Sequence, residues 1–152
     1  MSHASQVTIR PLTAADEADW RRLWTGYLAY YETTVPEEVY QSTFARLLGD
    51  DPRDFSCFVA EDGDGRLVGL THYLFHRHGW KIEDVCYLQD LFTDEAARGK
   101  GVARALIEAV YAAADAAGAP SVYWLTQDFN ATARKLYDRI GVLTPFIKYQ
   151  RP

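Results

Sequence analysis

The run AARGKGVARAL, residues 96–106, joins two closely spaced glycines to an alanine- and leucine-rich helical pattern, and the apolar segment Val85 to Thr93 stands just ahead of it. A strand that passes into a helix through glycines can turn its backbone freely. The first amides of that helix have no carbonyl partners, and they form the positive end of its dipole. An anion, above all a phosphate, suits such a junction. Taken alone, the six residues from Arg98 to Ala103 are equally compatible with a ligand-free turn. Two phosphate motifs are excluded by spacing. A P-loop requires Ser or Thr after its lysine, whereas Gly101 follows Lys100, and a G-x-G-x-x-G fingerprint requires glycine where Arg104 stands.

The remaining pattern supplies the scaffold. Val7 to Arg10 reads as a short strand, and Thr13 with Asp16 three residues later signals a helix start. The helix that follows has Trp20, Leu23, Trp24, Tyr27, Leu28 and Tyr31 at helical spacing. A second helix is predicted from Pro36 to Gly49. Phe55 to Glu61 and Leu67 to Phe75, separated by Asp-Gly-Asp-Gly-Arg, form an antiparallel hairpin. After Val85 to Thr93 and the glycine turn, a helix runs to about Ala117 and ends at Gly118 and Pro120. Ser121 to Thr126 reads as a strand, Asn130 caps a helix ending at Gly141, and LTPFIKYQ reads as a last strand with Pro145 at an edge or bulge. This order predicts one domain over residues 1–152, α/β (α+β) in class, with helices on both faces of a mixed central sheet.

Composition narrows the partners. The chain has 152 residues, enough for one domain with a substantial core, and 16 Lys and Arg against 21 Asp and Glu give a net charge of -5. That balance disfavours nucleic acid and membrane surfaces as partners and suits a cationic small molecule or a basic peptide, although it equally serves solubility alone. Cys57 and Cys86 lie in apolar runs without metal-ligand spacing and read as reduced core thiols. The histidines, with His76 and His78 beside His72, lack ligand partners at a recognised spacing and read as surface or cleft-lining residues, so no metal is expected. No signal peptide or membrane-length apolar run is present in the sequence, and a cytoplasmic protein is expected.

The stretch YLQDLFTDEAARGKGVARALIEAVYAAADAAG resembles the central motif of the GCN5-related N-acetyltransferases (GNAT). Arg98, Gly101 and Ala103 meet the R/Q-x-x-G-x-G/A pattern, and WLTQDFNATARKLYDRIG, with Asn130 and Tyr137, resembles the family's second motif. The similarity covers most of residues 7–149 and is greatest over 84–141, nearest the histone/polyamine and diamine acetyltransferases. It implies a GNAT fold of six to seven strands and about four helices, and acetyl-coenzyme A (acetyl-CoA) as donor. It places the pyrophosphate on the amides of Gly99, Lys100, Gly101, Val102 and Ala103. It further implies that the strand holding Leu91, Phe92 and Thr93 diverges from its neighbour to receive the pantetheine arm, that Asn130 contacts the coenzyme, and that Arg98, Lys100 or Arg134 meets its 3′-phosphate. A homodimer is expected on the same ground.

Acetyl transfer to an amine needs an acid for the departing thiolate and a route for the ammonium proton. The resemblance makes Tyr137 the acid. Read by pattern alone, Tyr137 is also a fitting core aromatic beside Leu136 and Ile140. Where related enzymes carry a glutamate proposed as base, this chain has Gln89, so deprotonation through an ordered water is expected, with Asp90, Glu83 or Asp84 as secondary candidates. Strand alternation sets Asp90 and Gln89 on opposite faces unless a bulge intervenes. Tyr27, Tyr30, Tyr31, Glu32, His72, Trp80 and Trp124 are candidates for the acceptor cleft, since aromatic faces and carboxylates attract an ammonium. The expected activity is acetylation of a small primary amine, polyamine-like or amino-acid-like. Two alternatives are acetylation of a protein lysine or amino terminus, and a coenzyme-binding module without catalysis.

Overall fold

A computed structural model of the chain describes residues 7–152. Its sheet has five strands in the order β1-β2-β3-β4-β5. They are β1 (Thr8–Pro11), β2 (Ser56–Glu61), β3 (Leu67–His76), β4 (Val85–Thr93) and β5 (Val122–Tyr123). The first four are antiparallel to their neighbours, and β5 joins β4 in parallel. Between and after them come α1 (Glu17–Tyr30), α2 (Glu37–Leu47), α3 (Val102–Ala116) and α4 (Ala131–Ile140). This is the α+β arrangement expected, with fewer strands.

Each element follows from local chemistry. The Asp16 carboxylate reaches back 2.8 Å to the Thr13 amide and 3.0 Å to its hydroxyl, closing the turn that opens α1. The β2–β3 hairpin closes through Gly65 at φ 80°, with the Asp62 carboxylate accepting from the amides of Asp64 and Arg66, both at 2.9 Å. Asn130 caps α4 by accepting from Ala133 at 3.3 Å.

The sheet separates two sets of core side chains. Trp20, Leu23, Trp24 and Leu28 of α1 join Phe44 and Leu47 of α2 over one face, with Cys57, Val59, Leu67 and Leu70 from β2 and β3. On the other, Ile107, Val110 and Ala114 of α3 cover Tyr73, Cys86 and Leu88. Gly69 lets α3 seat closely, because a Cβ there would stand 2.8 Å from Val102 Cγ1. Arg22 joins α1 to the site's frame, donating to the Leu67 carbonyl at 2.6 Å and to Asp94 at 3.0 Å.

Two strand expectations are corrected. Only Val122 and Tyr123 of the segment 121–126 pair with β4. The tail LTPFIKYQ is not a strand: among the described residues, no backbone hydrogen bond ties residues 142–152 to the sheet. A strand needs a partner, and the tail does not turn back along the β5 edge of its own chain.

Candidate active site

The glycine turn is shaped as its residues require. Gly99 and Gly101 both take φ 78°, and a Cβ on either would meet nothing within 4 Å, so the turn faces open space. Gly101 is the N-cap of α3. Among the described residues, no amide from Gly99 to Arg104 donates to a carbonyl or side chain. These free amides, with the positive end of the α3 dipole behind them, suit an anion such as a diphosphate.

The strand ahead of the turn has an open side. The β4–β5 pairing ends at Tyr87 and Tyr123, leaving Leu88 to Thr93 of β4 without a strand partner on that edge. The Thr93 hydroxyl is buried there without a hydrogen-bond partner. Leu91 and Phe92 are half-buried, and Phe92 packs on Gly26, where a Cβ would lie 2.9 Å from Cζ. The opening, the orphaned hydroxyl and the bare turn together fit an extended amide-bearing arm ending in phosphates.

β4 carries the bulge on which Asp90 depends. His72 of β3 faces Asp90 while Tyr73 faces Leu88, so Gln89 is an extra residue with no opposite number. Leu88 therefore packs with α3 while Asp90 turns to the α1 side. Gln89 is exposed and Asp90 only 8% exposed. Tyr27 of α1 donates to Asp90 Oδ1 at 2.6 Å, and His72 Nδ1 lies 3.0 Å from Oδ2. Thr71 Oγ1 donates to the Asp90 carbonyl at 2.8 Å, fixing the bulged backbone.

The residues match the sequence profile of the acetyltransferase (GNAT) family over 20–142. The chain belongs to that family. As a GNAT enzyme it is an acetyl-CoA-dependent N-acetyltransferase. It is 36% identical over 146 residues to the D-amino-acid N-acetyltransferase HPA3 of Saccharomyces cerevisiae (strain ATCC 204508 / S288c), covering 96% of this chain and 91% of that protein. Similar solved structures include a ribosomal-protein-alanine N-acetyltransferase from Brucella melitensis biovar Abortus 2308, with TM-score 0.79, 23% identity and coverage of 96% of this chain and 98% of that one. Another is AAC(6')-Iy in complex with a bisubstrate analogue, CoA-S-monomethyl-acetylneamine, with TM-score 0.80, 22% identity and coverage of 97% and 99%.

In this GNAT enzyme, part of the expected site comes together. Tyr137 of α4 meets the Trp124 ring edge-on at 5.4 Å. Burial, with Tyr31 and Tyr30 nearby, pushes its pKa up to about 12. Tyr27 stacks on Trp24 at 4.9 Å and tilts against Tyr31 at 5.1 Å, while Tyr87 stacks on Tyr123 at 4.8 Å. Burial raises the pKa of Tyr27, Tyr31 and Tyr87, and Asp90 adds to each shift. Asp90 thus lies among neutral phenols.

Other candidates stand elsewhere or are otherwise engaged. Trp80 is 84% exposed, with His78 as its ring neighbour. Trp124 packs toward α3 and α4. Glu32 is exposed at the end of α1, in a left-handed conformation at φ 56°. Asp84 lies 3.6 Å from the exposed Arg77, and Glu83 is exposed. Arg98 donates to the Thr93 carbonyl at 3.3 Å and Arg134 to the Asp128 carbonyl at 2.7 Å, so both brace loops, while Lys100 is exposed. His72, read from sequence as surface or cleft-lining, is 1% exposed. Sequence reasoning missed Trp20 as a polar partner, because its place on the apolar stripe of α1 conceals the indole N–H.

Proposed function

We propose that this GNAT enzyme transfers the acetyl group of acetyl-CoA to the primary amine of an amino-acid-like small molecule, using Asp90 to receive the cationic end of the acceptor. The observation that carries this reading is the Asp90 carboxylate, turned by the β4 bulge toward α1 and bound there by the Tyr27 hydroxyl. The D-amino-acid acetyltransferase relationship supports amino acids as the first acceptors to test.

In this reading Gly99, Lys100, Gly101, Val102 and Ala103 hold the diphosphate by their amides, and Leu91, Phe92 and Thr93 line the pantetheine arm. Arg98, Lys100 and Arg134 supply positive charge around them, and Asn130 borders the coenzyme with the amide nitrogen its capping role leaves free. Acetyl-CoA supplies the activated acyl group. Asp90 draws the ammonium in and takes its proton directly or through water, while the exposed Gln89 amide hydrogen-bonds the acceptor. Free amides of β4 polarise the carbonyl. The amine nitrogen bonds to the acetyl carbon, the carbon–sulfur bond breaks, the sulfur takes a proton from Tyr137, whose high pKa keeps the hydroxyl protonated at neutral pH, and the proton shed by the new amide nitrogen restores that hydroxyl through water.

We further propose that residues 1–152 form a single catalytic domain, and that it works as a cytoplasmic homodimer. The free thiols of Cys57 and Cys86 support a reducing compartment. The tail supports the dimer: Val142, Leu143, Phe146, Ile147 and Tyr149 are 73 to 91% exposed, and the β5 edge lies open. A second copy offers the same open edge, so two tails can cover two sheets reciprocally.

The test is isothermal titration of acetyl-CoA, followed by labelled acetyl transfer to D- and L-amino acids, linear diamines, and lysine- or amino-terminal peptides. Turnover of amino acids with inert peptides is expected. Acetylated peptide with untouched small amines overturns the acceptor class, and coenzyme binding with no turnover overturns catalysis.

A further inference from the structure

Trp20, His72, Asp90 and Tyr27 form one hydrogen-bonded chain whose proton directions are forced. An indole nitrogen can only donate. Trp20 Nε1 lies 3.1 Å from His72 Nε2, so that nitrogen accepts. The ring proton of neutral His72 is therefore on Nδ1, and it is donated to Asp90 Oδ2 over 3.0 Å. Tyr27 donates to Oδ1 from the other side at 2.6 Å. Trp20 is fully buried and His72 is 1% exposed, between Trp20, Trp24 and Phe55. Filling that volume calls only for an apolar ring, and a buried imidazole is costly unless both nitrogens are paired. Here both are paired, and the second bond ends on the carboxylate at the bulge.

From this geometry we infer that Trp20 and His72 are positioning residues for acceptor recognition: the indole locks one histidine tautomer, and the histidine aims the Asp90 carboxylate at the incoming ammonium. The inference rests on the acceptor role proposed for Asp90. It extends that role to two residues that meet neither substrate. Because Trp20 occupies Nε2, the ring cannot flip or change tautomer without losing the indole bond. The other titratable groups around the pair are Tyr27 and Tyr31 from the α1 side, Cys57 on β2 and Tyr87 on β4, and burial pushes all four upward, away from neutrality.

Trp20→Phe, His72→Phe and His72→Asn in the full chain test this, with D-alanine, D-leucine and 1,4-diaminobutane as acceptors. Thermal melting and acetyl-CoA titration serve as controls. Trp20→Phe frees Nε2 and releases the tautomer lock, so acceptor kcat/KM falls about tenfold, through KM more than kcat, with acetyl-CoA affinity held within about twofold. His72→Phe lowers acceptor kcat/KM about ten- to a hundredfold, through KM more than kcat, with acetyl-CoA affinity held within about twofold. His72→Asn, whose amide can still donate toward Asp90, recovers most of the loss.

A folded Trp20→Phe protein with wild-type acceptor kinetics overturns the inference, even if His72→Phe does not fold. Equal losses toward donor and acceptor also overturn it, since they mark a purely structural role. The underlying reading fails differently. A wild-type protein that binds acetyl-CoA and acetylates none of these amines overturns both, whereas an active wild type matched by its variants overturns only this inference.

Discussion

Tyr27 and Asp90, 63 residues apart, meet through a 2.6 Å hydrogen bond that joins α1 to the bulged end of β4. The bond depends on Gly26, which lets α1 approach Phe92, and on the extra residue Gln89, which turns Asp90 toward α1. Tyr27→Phe keeps the ring stacked on Trp24 and removes only the hydroxyl. One lost hydrogen bond to a charged group is worth about 1.5 to 3 kcal/mol. Acceptor kcat/KM is expected to fall about ten- to a hundredfold, with the acetyl-CoA dissociation constant unchanged. Steady-state kinetics paired with calorimetry checks this, and unaltered acceptor kinetics removes Tyr27 from acceptor binding.

Tyr137→Phe separates the acid from the binding surface. The ring and its contact with Trp124 remain while the donor is lost, so kcat is expected to drop about ten- to a hundredfold with little change in coenzyme affinity. Because the Tyr137 pKa stands at about 12, no alkaline loss of activity should come from its ionisation near the ordinary value of 10.0. A pH–rate profile of both proteins from neutrality to about pH 10.5 checks this, since an alkaline inflection that disappears in the variant would show a lower pKa than burial gives.

The parts of the fold legible from sequence are those set by local chemistry. Asp-Gly-Asp-Gly-Arg announced the β2–β3 hairpin, the aromatic stripe announced the buried face of α1, and Arg98 to Ala103 announced the turn into α3. The bulge was not legible, because nothing in Tyr87-Leu88-Gln89-Asp90 says which residue lacks a partner until β3 is laid beside it. The role of His72 was hidden for the same reason: its partners are 52 and 18 positions away. The tail misled because its apolar residues state a preference for pairing without saying which chain supplies the partner.

Gly101→Trp tests the turn. Its φ of 78° strains any residue with a Cβ, and the indole would crowd the free amides of the turn. The expected result is a folded protein, destabilised by about 1 to 2 kcal/mol, with acetyl-CoA affinity reduced at least about a hundredfold. Normal affinity in a folded variant places the diphosphate elsewhere. Circular dichroism and calorimetry on the same sample distinguish the outcomes.

Asp16 gives a prediction about stability. Arg10 grips its carboxylate at 2.8 and 2.9 Å and also holds Glu61, linking β1, β2 and the start of α1. The Arg10 hydrogen bonds are the main cause that lowers the Asp16 pKa from 3.8 to about 2. A carboxylate with a depressed folded value stabilises the native state above its unfolded value, and that contribution is lost as pH falls through the folded one. Allowing for the solvent around Arg10, the contribution is about 1 to 2 kcal/mol. Asp16→Asn should therefore be less stable by that amount above about pH 4, with the gap to wild type closing toward about pH 2. Urea unfolding across this range checks it, and a gap independent of pH assigns the loss to something other than the charge.

The proposed dimer is tested at the tail. Phe146 and Ile147 are 77% and 78% exposed, and α4, whose Leu136, Tyr137 and Ile140 face the core, has no fully buried residue. Covering these side chains with the open edge of a second copy would remove apolar surface from water at about 25 cal/mol per Å² and give the tail backbone its missing partners. Phe146→Glu with Ile147→Glu places two charges on that contact. Wild-type protein is expected to sediment as a dimer at micromolar concentrations, and the double variant as a monomer with an unchanged far-ultraviolet spectrum for residues outside the tail. If α4 loses its cover with the partner, Tyr137 also becomes more exposed, and turnover should fall in parallel with dissociation. A monomeric wild type at about 100 μM, an affinity weaker than about 5.5 kcal/mol, removes the dimer and leaves the tail for another occupant.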